Sequence, residues 1–157
     1  MSTMDQQDAL AALQVLVTER TRGMGWWATP TITQCVVEWL RRLGAASAQV
    51  EAPVVYSWRG RPIAGRVDVL GTWPKGGRLA VEVDRTNKPQ SLVKLRALRD
   101  DGCRVLWLRW NEGNHHADAL PLDVPSAWLS IADPQRLEEY LSRAERRRKA
   151  RARKHSA

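Results

Sequence analysis

Three acids stand close together in the segment Gly65 to Asp84, which reads GRVDVLGTWPKGGRLAVEVD. Asp68 lies in a first short apolar run, Glu82 and Asp84 lie in a second, and a Gly/Pro turn joins the two. A hairpin folded about Lys75 sets Asp68 opposite Glu82, since both are equidistant from that residue. Side chains alternate across a strand, so Glu82 and Asp84 share one face while Val81 and Val83 take the other. Carboxylates crowded on one face repel unless a cation neutralises them or one of them stays protonated. Hard oxygen donors of this type suit Mg²⁺ or Mn²⁺, and Asp68, Glu82 and Asp84 are the expected ligands. The alternative is the solvated polar face of an edge hairpin. Asp is disfavoured in strands, and two of them inside apolar runs favour a site.

The elements that must position these acids follow from hydrophobic spacing. Leu10, Leu13, Leu16 and Val17 recur at helical intervals from Asp5 to Arg20, with Ser2 or Asp5 as the cap and Gly23-Met24-Gly25 as the stop. Thr29-Pro30 opens a second helix whose Ile32, Cys35, Val36, Trp39, Leu40 and Leu43 face the core until Gly44. Strands are expected at Val54 to Trp58, Ile63 to Leu70 and Leu79 to Asp84, with a turn at Arg59-Gly60-Arg61-Pro62. Asn87 caps the next helix, Pro89 enters its first turn, Leu92, Leu95 and Leu98 bury one side, and Asp101-Gly102 ends it. Arg104 to Trp110, RVLWLRW, is too apolar to be solvated on both faces, and its place after a helix predicts a parallel pairing with the preceding strand. Residues 111 to 127 show no period, Trp128 to Ile131 reads as a short last strand, and Asp133-Pro134 begins a terminal helix. The expected division is an N-terminal helix over 1–22, a core over 29–132, and a C-terminal helix with a basic arm over 133–157.

The 157 residues suffice for one domain with a real core, built with eight Trp and no Phe. Cys35 and Cys103 lie in apolar stretches without Cys/His ligand spacing, which argues against zinc and for a reduced, cytoplasmic setting. The start lacks a basic and then apolar leader, and no long apolar run occurs, so no membrane partner is expected. Charge is uneven. Arg143 to Lys154 holds eight basic residues and one acid, a net of +7 out of the chain's +8. Such a block is either a solvated terminal helix or an arm that docks on an anionic partner, nucleic acid being the commonest. Arg146, Arg147, Arg148, Lys149, Arg151, Arg153 and Lys154 are the DNA-contacting residues on the second reading.

The succession of helix, three-stranded meander, helix and strand, with Asp68 on the second strand and Glu82-Val83-Asp84 on the third, resembles the PD-(D/E)XK nuclease superfamily. The resemblance covers roughly Thr29 to Trp110. It implies a restriction-endonuclease-like α/β fold, a central mixed sheet of four to five strands flanked by helices. It implies a Mg²⁺- or Mn²⁺-dependent endonuclease hydrolysing phosphodiester bonds in DNA, with a homodimer as an open alternative to a monomer. Asp84 stands where the family pattern has Lys, and a lysine on the following helix takes that place in some members. Lys94 is the candidate, because its long stem at the margin of the Leu92/Leu95/Leu98 stripe can snorkel toward the acids. Lys88 is the second choice. Glu38, on the helix before the sheet, is a further catalytic candidate by the same resemblance and otherwise an ordinary solvated Glu. Arg66, two residues before Asp68, either binds a phosphate or pairs with an acid. Inactive superfamily members that serve as binding modules make a non-catalytic module for DNA or a protein the alternative.

Other residues read more plainly. His115-His116, near Asn111, Glu112 and Asp118, has no ligand spacing and reads as a polar loop. Trp39, Trp107 and Trp110 fit core positions, whereas Trp26, Trp27, Trp58 and Trp73 sit at turns or segment edges where a ring can stack on an unpaired base. Gly71 to Arg78 lacks the phosphate-loop pattern.

Overall fold

The computed structural model describes residues 3–24, 28–110 and 123–131, together with 146, 148–151 and 153. Helices α1 (Thr3–Arg20) and α2 (Ala28–Arg42) lead into strands β1 (Ser47–Trp58), β2 (Arg61–Thr72) and β3 (Arg78–Asp84). Helix α3 (Pro89–Asp100), strand β4 (Arg104–Trp110) and strand β5 (Ser126–Leu129) follow. The five strands form one mixed sheet in the order β1-β2-β3-β4-β5, antiparallel through β3 and parallel from β3 to β5. The parallel β3/β4 pair is the one expected from the intervening helix.

Two apolar layers enclose the sheet. On one side α1 and α2 bury Leu13, Val17, Ile32, Val36 and Leu40 against Val69, Val81, Val83, Leu106, Leu108 and Trp110. On the other, Leu92, Leu95 and Leu98 of α3 pack on Ala80, Val105 and Trp107. Gly71 lets the first layer close tightly, since a Cβ there would stand 3.1 Å from Leu40 and 3.2 Å from Trp73. Among the described residues no helix is long and apolar enough to cross a membrane.

The hairpin of β2 and β3 pairs Val69 with Val81 and Thr72 with Arg78, a register centred on Lys75 as expected. The first two strands run far longer than expected. Ser47 to Pro53 has few β-formers, but pairing with β2 carries β1 back to Ser47, and Pro53 is tolerated because β1 is an edge strand. The turn between β1 and β2 is only Arg59-Gly60. Asn87 is not the cap of α3. That position falls to Lys88, which makes no side-chain cap bond, because the Asn87 carboxamide accepts from Arg109 instead. The last strand begins at Ser126, two residues before the expected start. Helix α1 starts at Thr3, which puts Asp5 inside it rather than at its cap. The helix expected from Asp133-Pro134 falls mostly outside the described residues, which include helical Arg146, Arg148, Lys149, Arg151 and Arg153.

One irregularity shapes the whole sheet. Pairing between β1 and β2 is continuous except at Glu51 and Asp68, and pairing between β2 and β3 ends at Val69. Val67 and Val69 should share a face by alternation, yet Val67 buries with α3 and Val69 with α1 and α2. Across the ladder, Ala48 packs with the first layer and Ala52 with the second. Glu51, with φ 52°, is the residue at which β1 turns over. The outer half of the long hairpin thereby lays Ala52, Val54 and Val67 onto the α3 side.

A non-glycine residue in the left-handed region inside a strand carries strain of about 1–3 kcal/mol. Glu51→Gly is therefore expected to leave stability unchanged or raise it, while Glu51→Ile costs about 1–3 kcal/mol despite its high strand propensity. Urea denaturation of the two variants checks this order, which is the reverse of that at an ordinary strand position.

Candidate functional site

The site is built where β2 leaves β3. With the ladder ended at Val69↔Val81, the Val83 N–H needs another acceptor, and the Asp68 carboxylate takes it at 2.7 Å. Glu82, next along β3, faces α3 and is 2% exposed. Lys94 Nζ donates to Glu82 Oε1 at 2.6 Å and to the Arg66 carbonyl at 2.6 Å. That carbonyl has no backbone donor to turn to, because Pro53 opposite has no N–H and β3 has already diverged. Ser91, one turn before Lys94 on α3, donates to Glu82 Oε2 at 3.4 Å.

The structure thus brings Asp68, Glu82 and Lys94 together from β2, β3 and α3. Lys94 occupies the margin position that lets its stem run along the apolar stripe while its ammonium reaches the acids. Asp84 shares the Glu82 face, but its carboxylate is turned to the Trp107 indole, which donates to Oδ2 at 2.8 Å, with Lys88 Nζ 3.9 Å from Oδ1. Among the described residues no three of His, Cys, Asp and Glu converge as a group able to hold a metal ion. Asp84 is held by an indole N–H of the neighbouring strand, yet it stays close enough for its charge to raise the pKa of both Asp68 and Glu82.

Glu38 does not join them. Its carboxylate is taken by Arg20 and Arg42 in two exposed ion pairs on the outer side of α2. Arg66 contributes its backbone carbonyl, and its side chain is exposed. Lys88 stands nearest Asp84 and is mostly exposed. Trp73 is not available to a ligand, since its indole donates to the Leu43 carbonyl and Arg104 lies 4.8 Å from its ring. Arg146, Arg148, Lys149, Arg151 and Arg153 are exposed on a helix. Arg147 and Lys154, like Trp26, Trp27 and the His115-His116 stretch, lie outside the described residues.

Sequence reading overlooked the support around Asp84. Trp107 pairs in register with Glu82 and Arg109 with Asp84, so β4 supplies the floor beneath both acids. Arg109 is 1% exposed, held between the rings of Trp107 and Trp128 at 4.6 Å and 4.2 Å, and donates to Asn87 and Ser126. The signal was an arginine inside an apolar strand, RVLWLRW, where a charge persists only with dedicated partners. Ser91 was legible too, at a helical interval from Lys94.

The electrostatics follow from burial. Desolvation, and then the Asp68 charge, push the Glu82 carboxyl up from 4.5 to about 7, with the Lys94 ammonium pulling the other way. Burial also raises Asp68, against the Val83 N–H that favours its ionised form. Two carboxylates that resist joint ionisation form a site where added positive charge is strongly favoured.

The chain matches no family model, no curated protein and no solved structure.

Because folding raises the Glu82 pKa above its unfolded value, the native state binds a proton that the unfolded chain has released. Stability from this group is full below about pH 4.5 and is lost as pH rises to about 7. A shift of that size is on the order of 3 kcal/mol. Glu82→Gln keeps an acceptor for Lys94 and removes the titration, so its denaturation free energy should exceed the parent's at pH 8 and match it near pH 4. A parallel pH profile in the two proteins would show that Glu82 is not the titrating group.

Proposed function

We propose that this chain is a restriction-endonuclease-like, Mg²⁺- or Mn²⁺-dependent DNA endonuclease of the PD-(D/E)XK type. The observation that carries the reading is the junction of Asp68, Glu82 and Lys94 at the point where β2 and β3 part, with Lys94 Nζ 2.6 Å from Glu82. Two carboxylates with only oxygen donors fit a hard divalent ion, which commonly takes one or two protein carboxylates and completes its shell with water and substrate phosphate. Bound between Asp68 and Glu82, such an ion would polarise the scissile phosphate and acidify an attacking water. The half-buried Asp68 forms the open side of the pair and Glu82 its buried side. Lys94 stabilises the charge that develops on the phosphate as water adds, replacing the lysine that Asp84 displaces from the motif. Asp84, oriented by Trp107, serves as a water-positioning base rather than a ligand. The helical basic residues from Arg146 to Arg153 supply sequence-independent contacts to the phosphate backbone.

A second reading, a non-catalytic nuclease-fold module, draws on Asp84 standing in place of the motif lysine and on there being, among the described residues, no three-ligand group able to hold a metal ion. Calorimetric titration with Mn²⁺, run beside cleavage assays on duplex, branched and single-stranded DNA, separates the two. The nuclease binds Mn²⁺ and cleaves; Asp68→Ala and Glu82→Ala lose both while staying folded. Equal cleavage in parent and variants would overturn the site, and DNA binding by the parent without cleavage under any metal would favour the module.

Lys94→Ala should lower the cleavage rate by about 10²- to 10³-fold with little change in DNA affinity, because it removes one transition-state charge. Lys88→Ala is the control and should cleave near the parental rate. Deleting residues 146–157 should weaken binding to every duplex alike and reduce the slope of log K against log salt by roughly 0.9 for each phosphate no longer neutralised. An unchanged slope would show that the arm serves another purpose.

A further inference from the structure

The β1/β2 hairpin ends in the two-residue turn Arg59-Gly60, flanked by the facing pair Trp58 and Arg61. Both turn residues have positive φ, 49° at Arg59 and 74° at Gly60, the geometry of the tight turn whose backbone twist matches its strands. Asn, Asp or Gly ordinarily fills the first of these positions. An arginine there is strained: a Cβ at Gly60 would meet nothing within 4 Å, Gly60 and Pro62 share a cavity with Ala97, Asp100 and Asp101 at the end of α3, and neither Arg59 nor Arg61 is ion-paired to a described acid. What the strain does achieve is placement. The Arg59 guanidinium lies 5.3 Å from the centroid of the Trp58 ring, and Trp58 is left 40% exposed.

The tip therefore presents an accessible indole with the Arg59 guanidinium beside it and the exposed Arg61 facing it across the hairpin. A flat aromatic face with adjacent cations is the chemistry that recognises an unpaired base and its flanking phosphates. A duplex offers phosphates, but its base faces are already stacked, so the indole has nothing there to cover. Seven residues separate Arg61 from Asp68, and at about 3.3 Å per residue the tip lies roughly 23 Å along β2 from the acid pair.

We propose that Trp58, Arg59 and Arg61 form a binding site for an unpaired stretch of DNA, set roughly 23 Å from the point where Asp68 and Glu82 act. The inference rests on the nuclease reading for its choice of DNA and deepens it by naming the substrate class, DNA with a single-stranded segment. The hairpin twist at Glu51 is what aims this tip, since the outer half of the arm is braced on α3 by Ala52, Val54 and Val67.

Fluorescence anisotropy with a labelled 20-nucleotide thymidine strand and a 20-base-pair duplex, without metal and at several salt concentrations, tests the site. Trp58→Ala should weaken single-strand binding by about 5- to 150-fold, as expected for the removal of one base stack. The salt slope should stay unchanged and duplex affinity should move less than about twofold. Trp58→Phe, which keeps a ring, should recover most of the affinity. Arg59→Gly relieves the turn while removing a cation, so its thermal midpoint should rise by about 2–4 °C while its single-strand salt slope falls by about 0.7. This variant keeps the inference testable should Trp58→Ala fail to fold. Unchanged single-strand affinity in Trp58→Ala, or in Arg59→Gly, overturns the site. Tighter, Trp58-dependent binding of a 20-nucleotide uridine strand overturns the choice of DNA. Manganese-dependent cleavage by the same parent preparation is the separate readout. Trp58-dependent binding without cleavage supports the site and overturns the nuclease reading alone, whereas cleavage with unchanged Trp58→Ala binding overturns the site alone.

Discussion

The hydrogen bond from the Val83 N–H to the Asp68 carboxylate closes the gap at which this sheet forks. An unpaired N–H inside the fold costs about as much as a missing hydrogen bond, so parting the strands there is unfavourable without a substitute acceptor. Asp68 supplies one from its own side chain, and β2 is then free to turn over and carry its outer half to the α3 side. Lys94 performs the matching service for the Arg66 carbonyl. The groups of the candidate site are thus the same groups that satisfy the backbone at the fork. A site made this way is held rigidly, because moving either side chain would expose a polar main-chain group.

Burial sets the chemistry of the pair. Glu82 sits among apolar side chains of α3 and β4, and its charge is disfavoured there even with an ammonium at hydrogen-bonding distance. A lysine opposite one acid does not neutralise two, since Asp68 contributes a further negative charge when ionised. The junction therefore remains short of positive charge near neutral pH, which is the electrostatic condition for recruiting a dication. Asp84 accepts the Trp107 N–H, Arg109 stands beside it in register, and its charge adds to that of the pair.

The exposed parts divide the labour differently. The described C-terminal basic residues, Arg146, Arg148, Lys149, Arg151 and Arg153, are exposed on a helix. At the hairpin tip the charges come with an aromatic ring and a strained turn, a combination that commits them to one geometry.

Much of this was legible from residue order. Periodicity located α2 and the Leu92/Leu95/Leu98 stripe, symmetry about Lys75 set the β2/β3 register, and helical position placed Lys94 where its stem reaches Glu82. These are local properties: a period of 3.6 or 2 and a turn determine which residues share a face. Alternation failed at Asp68, because a left-handed residue at Glu51 on another strand inverts the pattern, and no local signal marks it. Glu38 pairs with Arg42, a helical neighbour legible in the sequence, and with Arg20 of α1, a partner that only the meeting of the two helices supplies. By itself, then, the sequence determined which residue types could do chemistry and which faces they would occupy over short spans. Only the tertiary structure decided that Asp84 goes to Trp107 while Asp68, Glu82 and Lys94 meet, because hydrogen-bond satisfaction and desolvation depend on neighbours brought together by the whole sheet.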